Sequence, residues 1–255
     1  MATLLLIGIG SGDPEHLTVQ AISALNRVDV FFAFDKGAAA AELLELRREI
    51  CRRYATTRPY RFVEVDDADR DRGSDSYRTA VDDWHDDRAA RYETAMLAEL
   101  GEDETGAVLV WGDPAFYDST IRIVERVQQR GRLDLTVTVI PGISSIQVLA
   151  AAHATVLNGI GEPITITTGR RLAESVDAGA DNIVVMLDGS LACRQFAHLD
   201  LTIHWGAYLG SADQILIAGR LAEVIDRIAT TRAALKASKG WIMDTYLLRR
   251  STAAG

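Results

Sequence analysis

The stretch Leu4-Leu5-Leu6-Ile7-Gly8-Ile9-Gly10-Ser11-Gly12-Asp13-Pro14 begins as an apolar run and passes into three alternating glycines. Such a run is typical of a buried strand, and glycine there allows positive φ and close approach of backbone N–H groups to a ligand. A dinucleotide loop would need a glycine where Asp13 stands, and a carboxylate there would repel a pyrophosphate. Asp35, after the second apolar run, would suit a ribose. A dinucleotide-binding oxidoreductase is therefore an alternative that Asp13 disfavours.

The composition is that of an ordinary globular protein. The chain has 255 residues, 48% of them hydrophobic and 25% charged, and a formal net charge of -9. This length suits two small domains, and the negative charge argues against nucleic acid as a partner. Cys51 and Cys193 lack metal-ligand spacing, so we expect both to be buried and expect no metal site. The N-terminal apolar run is too short for a signal peptide or a membrane span, so we expect a cytoplasmic protein without a membrane partner.

Short apolar runs alternate with helical patterns, which predicts an α/β protein. One sheet is predicted from strands near residues 3–9, 28–34, 61–65, 107–111 and 136–140. A second is predicted from strands near residues 164–168, 183–187, 201–208, 215–219 and 242–248, after the turn signals at Asn158-Gly159 and Gly161. The predicted fold is two α/β domains, each around a five-stranded mixed sheet, with the active site in the cleft between them. Residues 1–150 would carry the glycine-rich loop and the substrate cleft, and residues 151–255 would complete the cofactor site.

A long polar insertion, residues 66–104, separates the third and fourth predicted strands. Its second half has a helical pattern, in which one face carries Val81, Trp84, His85, Arg88, Tyr92, Ala95 and Met96. In one interpretation this is an amphipathic helix that packs Trp84 and Met96 on the core. In the other it lines the cleft and offers His85 and Arg88 to an acidic ligand.

Two further strand ends carry glycine turns with small polar residues. Trp111-Gly112-Asp113-Pro114 follows the fourth predicted strand, and Pro141-Gly142-Ile143-Ser144-Ser145 follows the fifth. Ligands of open α/β sheets bind outside the carboxyl ends of the strands, so a site is expected here. Asp113 could accept hydrogen bonds from a ribose or an amino group, or it could be a turn or N-cap aspartate.

Together these loops, G-x-G-x-G-D near residue 8, W-G-D-P near 111 and I-P-G-I-S-S near 140, resemble those of the tetrapyrrole methylase family. The resemblance covers nearly the whole chain and implies a class III methyltransferase that uses S-adenosyl-L-methionine and forms S-adenosyl-L-homocysteine, as a homodimer. The segments 31–37 and 81–85, with Arg88, favour the subgroup that acts on the tetrapyrrole precorrin-5 in cobalamin biosynthesis. The expected reaction is methylation of C1 with loss of the acetyl group as acetate. Another precorrin or uroporphyrinogen methylase, a methylase of a protein histidine and a non-catalytic tetrapyrrole carrier are alternatives.

The resemblance also assigns site residues. The donor site would comprise Ser11, Trp111, Gly112, Asp113, Phe116, Ser144, Ser145, Leu187, Tyr208 and Ile217. The substrate would meet Gly10 and Gly12, and its carboxylates require local cations, for which we select Lys36, Arg88, Arg91 and Arg170. Loss of the acetyl group needs a base, for which Asp13 is the first candidate and His85 and Tyr117 are alternatives.

Overall fold

The computed structural model describes residues 1–35, 38–66 and 77–250, so the predicted substrate ligand Lys36 lies outside the described residues. The chain forms two compact units, Met1–Ser144 and Ser145–Gly255. The two five-stranded sheets and the α/β class are confirmed, one sheet in each unit. The separate roles assigned to residues 1–150 and 151–255 stay a prediction.

The sheet of the first unit is parallel. Its strands are β1 (Ala2–Gly8), β2 (Val30–Asp35), β3 (Arg61–Asp66), β4 (Thr105–Val110) and β5 (Leu135–Ile140), in the order β3-β2-β4-β1-β5. Every pairing among these strands is parallel, so the prediction of a mixed sheet is wrong for this unit. The physical reason is that helices α1 (Val19–Leu25), α2 (Ala38–Tyr54), α3 (Tyr77–Glu99) and α4 (Thr120–Gln129) connect consecutive strands as crossovers.

The strand order places these helices on two faces. The chain runs in one direction across the sheet from β1 to β3 and in the opposite direction from β3 to β5, so right-handed crossovers put α1 and α2 on one face and α3 and α4 on the other. Leu5 accordingly belongs to the same core cluster as Leu25 of α1, whereas Leu4 belongs to the same cluster as Tyr92 of α3. The loops after the neighbouring strands β1 and β4 lead to opposite faces, which is where open α/β sheets bind ligands.

The second unit has a mixed sheet. Its strands are β6 (Thr165–Thr168), β7 (Asn182–Met186), β8 (Leu201–Ala207), β9 (Ile215–Arg220) and β10 (Asp244–Arg250), in the order β6-β7-β10-β8-β9. The β6–β7 pairing is parallel and the other pairings are antiparallel. The helices are α5 (Ser145–Ala152), α6 (Leu172–Asp177) and α7 (Leu221–Lys239). Its core surrounds Trp205 and Tyr246, both fully buried.

Helix α3 lies in the polar insertion and packs on the core through Met96, as one interpretation of its pattern predicted, whereas Trp84, the other residue of that prediction, is only half-buried. Tyr92 and Met96 are buried. Glu93 is also buried, at 1% exposure, and its carboxylate pairs with Arg130 at 3.1 Å and Arg132 at 3.2 Å. A buried carboxylate is costly without such partners, so this pairing holds α3 against the end of α4.

Both cysteines are buried, as predicted. Burial raises the pKa of the Cys51 and Cys193 thiols from 9.0 to about 12. Within the described parts of the chain, no helix has the length and apolar character needed to cross a membrane.

We expect neither thiol of the folded protein to react with Ellman's reagent at about pH 8. A thiol with a pKa near 12 is a thiolate in only about one molecule in 10,000 at that pH, and the thiolate is the reactive form. Unfolding in guanidinium should release both thiols to the reagent. Rapid stoichiometric reaction of the native protein would contradict the burial, and a Cys51→Ser variant would show which thiol is responsible.

Candidate active site

The loops after β1 and β4 are joined to each other by backbone hydrogen bonds. The N–H of Gly112 donates to the carbonyl of Gly10 at 2.8 Å, and the N–H of Gly10 donates to the carbonyl of Gly112 at 3.2 Å. Gly10 and Gly112 have φ values of +79° and +67°, a region that residues with a side chain rarely adopt. Glycine at both positions therefore permits the two loops to pair.

The loop after β5 packs on the same two loops with no side chain between them. A Cβ on Gly142 would lie 2.2 Å from the carbonyl oxygen of Gly112 and 2.8 Å from the Cα of Gly8. A Cβ on Gly8 would lie 2.5 Å from the backbone nitrogen of Gly142. Gly8, Gly112 and Gly142 thus form a contact of backbone on backbone, which we call the glycine contact.

Asp113 stabilises the glycine contact through a hydrogen bond between two of its loops. Its Oδ2 accepts a hydrogen bond from the N–H of Gly142 at 2.8 Å, and its Oδ1 accepts one from the N–H of Ala115 at 2.8 Å. The second bond is the turn role considered from the sequence, whereas the bond to Gly142 joins two loops. Each carboxylate oxygen can accept more than one hydrogen bond, so the ribose or amino-group role of Asp113 stays a prediction.

The other residues of the first unit that are predicted to bind the methyl donor lie in these same loops. Ser11 and Ser144 are buried, at 3% and 1% exposure, and Trp111 and Phe116 are half-buried. In the second unit Ser145 begins α5, and its Oγ lies 2.9 Å from Oγ1 of Thr245. The structure thus places small hydroxyl residues at the end of the glycine turn after β5, as the sequence suggested.

Asp13, the first candidate base, is half-buried and caps a short 3-10 helix, Pro14–His16. Its Oδ1 accepts a hydrogen bond from the N–H of Glu15 at 2.8 Å, and its carbonyl accepts one from the N–H of His16 at 3.0 Å. Gly10 lies against this turn, because a Cβ there would lie 2.7 Å from the Cβ of His16. Asp13 therefore has a local structural role in addition to the chemical one predicted for it.

The two alternative bases differ in accessibility. Tyr117 is 44% exposed and has a φ of +54°, in the loop between β4 and α4. His85 on α3 is only 8% exposed, and its ring lies 5.2 Å from that of Trp84. Of these two, Tyr117 is the one whose side chain is open to solvent.

Arg88 links α3 to the loop that follows β4. Its Nη1 donates to Oγ of Ser119 at 3.0 Å, and Ser119 directly precedes α4. The guanidinium also lies 4.7 Å from the ring centroid of Trp84 and 5.7 Å from that of Tyr92, so cation–π attraction fixes its position. Arg88 is therefore placed beside the loop of Asp113 and Tyr117.

The other predicted substrate ligands within the described residues lie on α3, in the second unit and in the loop after β1. Arg91 has a side chain that is 41% exposed and lies 3.3 Å from Oδ2 of Asp87 on the same helix. Arg170 is exposed in a 3-10 helix of the second unit, Gly169–Arg171. Gly12 is half-buried in the loop after β1.

Two residues of the second unit that are predicted to bind the methyl donor have strained backbone conformations. Leu187, after β7, has a φ of +53° and is 62% exposed, and Tyr208, after β8, has a φ of +48° and is 5% exposed. Bulky residues rarely adopt this region, and such outliers concentrate at functional sites. Among the described residues five non-glycine residues have positive φ, namely Tyr117, Ala154, Leu187, Leu191 and Tyr208. Three of these five had been selected from the sequence as site residues, which favours a functional origin for the strain.

Ile217 and Asp188 show where sequence reasoning was least informative. Ile217 is 2% exposed and its side chain packs in the core of the second unit, so any contact with a donor would come from its backbone. Asp188, directly after Leu187, was not predicted, although it is buried and accepts hydrogen bonds from the N–H groups of Ser190 and Ala192. Asp-Gly-Ser after a strand is a turn signal that could have revealed it.

Comparison with known proteins identifies the family. Residues 3–225 match the model of the family described as Tetrapyrrole (Corrin/Porphyrin) Methylases. The chain belongs to this family. Over 250 residues this methylase is 55% identical to the precorrin-6A synthase [deacetylating] of Sinorhizobium sp, covering 98% of this chain and 96% of that one. The family prediction made from the three loops is confirmed.

Solved structures agree with this assignment. A cobalamin synthesis related protein (CobF) from Corynebacterium diphtheriae has a TM-score of 0.84 and 40% identity, covering 99% of this chain and 100% of that one. The uroporphyrin-III C-methyl transferase of Thermus thermophilus, complexed with S-adenyl homocysteine, has a TM-score of 0.55 and 17% identity, covering 96% of each chain. This second likeness shows the fold alone.

We expect Gly142→Ala to destabilise this methylase by about 3 kcal/mol, because the new methyl group would meet backbone atoms that cannot move aside cheaply. Urea unfolding would measure the change in the free energy of unfolding. Gly101→Ala is the matched control, since the atoms nearest to a Cβ there belong to the side chain of Glu104 and lie at 3.4 Å, an ordinary contact distance. Equal and small effects of the two substitutions would contradict the glycine contact.

Proposed function

We propose that this methylase is a precorrin-6A synthase (deacetylating), which methylates C1 of precorrin-5 and releases the acetyl group as acetate. The main support is the 55% identity to the Sinorhizobium enzyme of that name over nearly the full length of both chains. The similarity to the precorrin-2 C(20)-methyltransferase of Sinorhizobium sp is lower, at 32% identity over 56% of this chain. The deacetylating reaction is therefore favoured over another methylation of the same family.

The proposed methyl donor is S-adenosyl-L-methionine, which supplies a sulfonium methyl group to the attacking ring carbon when it is bound. Two features of the described residues support such a ligand. The glycine contact leaves the loops after β1, β4 and β5 without bulky side chains where they meet, and Leu187 exposes an apolar side chain at a strained position. In the first unit we assign the donor to Ser11, Trp111, Gly112, Asp113, Phe116 and Ser144, and in the second unit to Ser145, Leu187, Tyr208 and Ile217.

For the methyl transfer itself, the contribution of the chain is alignment. Displacement at a methyl group needs no side-chain nucleophile, and well-held near-attack geometry supplies roughly 7–11 kcal/mol of a barrier. The hydrogen bond from Gly142 to Asp113 and the paired backbones of Gly10 and Gly112 hold the loops rigidly. Rigid loops are what such alignment requires.

The substrate carboxylates need fixed cations in a protein of net charge -9. We assign them to Lys36, Arg88, Arg91 and Arg170, with Gly10 and Gly12 along the loop after β1. Arg88 has the strongest structural support, because Ser119 and the rings of Trp84 and Tyr92 fix its guanidinium beside the loop of Tyr117.

Loss of the acetyl group requires separate chemistry. In the proposed step a water oxygen bonds to the acetyl carbonyl carbon while a base takes the water proton. The bond from that carbon to C1 then breaks, acetate leaves, and the electron pair remains on C1 to form the new bond to the methyl group. We assign the base to Asp13, with His85 and Tyr117 as alternatives.

We further propose a cytoplasmic homodimer. Val156, Ile160, Ile164 and Ile166 are exposed apolar residues just before and within β6, an edge strand of its sheet, and exposed apolar surface often marks an association site. The two free cysteines suit a reducing compartment. Sedimentation equilibrium of the purified chain would test the dimer.

Two measurements test the proposed function. Calorimetry should show binding of S-adenosyl-L-homocysteine and none of NAD, which separates a methylase from a dinucleotide-dependent enzyme. Mass spectrometry of the product from a precorrin-5-generating mixture should show a loss of about 28 mass units, the sum of roughly +14 for methylation and -42 for deacetylation. A gain of about 14 would name a different family member. Absence of binding heat at high micromolar concentration would remove the methyltransferase assignment.

We expect Asp13→Asn to slow acetate release by roughly 100-fold or more, the usual contribution of a general base. Asparagine also caps helix N-termini, so the fold should be retained. Acetate release and methyl transfer would be measured separately, with the affinity for S-adenosyl-L-homocysteine as the control. Full acetate release by the variant would transfer the base role to Tyr117 or His85.

A further inference from the structure

One segment of the second unit lies beside Leu187 and Tyr208, the two strained residues that are assigned to the methyl donor. Leu187 follows β7 and Tyr208 follows β8, and β10 lies between these strands and runs antiparallel to both. The first residues of β10 therefore pair with the last residues of its neighbours, Thr245 with Met186 and Asp244 with Ala207. Residues 239–246, which we call the clamp segment, run from the end of α7 into this position.

The clamp segment holds Tyr208 at its backbone and at its ring. The N–H of Tyr208 donates to the carbonyl of Met243 at 2.9 Å, and its hydroxyl donates to the carbonyl of Trp241 at 2.6 Å. Nζ of Lys239 lies 5.2 Å from the ring centroid and 2.6 Å from Oδ2 of Asp213. These contacts fix both ends of the side chain whose backbone is strained.

The same segment holds the residue next to Leu187. The hydroxyl of Tyr246 donates to Oδ2 of Asp188 at 2.6 Å, in a fully buried position. That oxygen also accepts a hydrogen bond from the N–H of Ala192 at 2.6 Å, so Tyr246 fastens the turn that begins at Leu187.

Helix α7 contributes a third connection. Arg232 donates from Nη2 to the backbone carbonyl of Asp188, and its Nε lies 2.9 Å from Oδ2 of Asp244. Nε1 of Trp205 donates to the same carboxylate at 2.7 Å. A buried ion pair adds little net stability compared with apolar packing, so its position against a strained turn suggests a positioning role.

We propose that the clamp segment, with Arg232, is a positioning device that fixes the backbones of Leu187 and Tyr208 for contact with the methyl donor. The inference rests on the proposed function, which assigns both residues to that donor. A strained backbone persists only where several surrounding contacts hold it in place. Here each strained turn is held at two or more points. Tyr246, Asp244 and Arg232 are accordingly positioning residues.

Tyr246→Phe tests the clamp with the smallest change, since it removes one hydroxyl and keeps the ring. We expect the amides of residues 188–192 to exchange hydrogen about tenfold faster, as loss of a hydrogen bond to a charged group predicts, and the Kd for S-adenosyl-L-homocysteine to rise by a similar factor. Thr202→Val is the matched control. It removes a hydroxyl that bonds across the same pair of strands, β8 and β10, but at the opposite end of that pair.

A second variant separates positioning from general stability. Glycine adopts positive φ without strain, so in a Leu187→Gly background Tyr246→Phe should accelerate exchange of residues 188–192 much less than in the wild-type background. A merely structural role of Tyr246 would lower the Tm equally in both backgrounds and leave that coupling absent.

Unchanged exchange and unchanged affinity in Tyr246→Phe would overturn the clamp. Equal changes in the Thr202→Val control would overturn it as well, because the effect would then be unrelated to the strained turns. If the wild-type protein binds no S-adenosyl-L-homocysteine, the proposed function fails, while the exchange measurements still decide whether the clamp holds the turns.

Discussion

At the carboxyl edge of the first sheet, the backbones of three loops approach more closely than any side chain would permit. Gly8, Gly112 and Gly142 make this contact, and the carboxylate of Asp113 bonds one loop to the next. The contact forms because β4, β1 and β5 are parallel neighbours, so their carboxyl ends emerge side by side. The other residues of this unit that are predicted to bind the methyl donor lie in these three loops.

The residues predicted to form the site are held by different physical means in the two units. In the first unit, the glycines have no side chain, so the loops that contain them can pack tightly. In the second, Leu187 and Tyr208 adopt backbones that cost on the order of 1–3 kcal/mol each. A hydrogen bond to a charged group contributes about 1.5–3 kcal/mol, so bonds such as those to Asp188 are of the size needed to offset that strain. Loss of a single hydrogen bond would therefore leave the remaining contacts about equal in free energy to the backbone strain of these turns.

Local features of the sequence predicted the elements well, and partners distant along the chain were not predicted. Apolar runs between turn signals placed ten strands close to their observed positions, because burial and turn formation are local in sequence. The order of the strands in the sheet could not be predicted from local patterns, because β1 pairs with β4 and β5, which lie more than 90 residues further along the chain. The parallel direction of the first sheet, by contrast, follows from the helices between consecutive strands, a local pattern that the prediction of a mixed sheet did not take into account.

The same limit applies to the site. Asp113 was selected as a turn or binding residue, but its bond to Gly142 spans 29 residues and has no local signal. Leu187 was identified by family resemblance, whereas the bond between Asp188 and Tyr246 spans 58 residues. Sequence patterns thus identified the residues at strand ends, and only the folded chain shows what fixes them there.

The loop after β1 illustrates why a glycine run alone does not define a phosphate site. In a dinucleotide fold the glycines lead directly into a helix whose free N–H groups receive the pyrophosphate. Here Asp13 accepts the N–H of Glu15, and α1 begins only at Val19, where Thr18 accepts the N–H of Ala21. Side chains of the loop thus already bond amides that a phosphate would need, and Asp13 adds negative charge. Such a loop disfavours a pyrophosphate and is electrostatically compatible with a donor that carries a sulfonium cation.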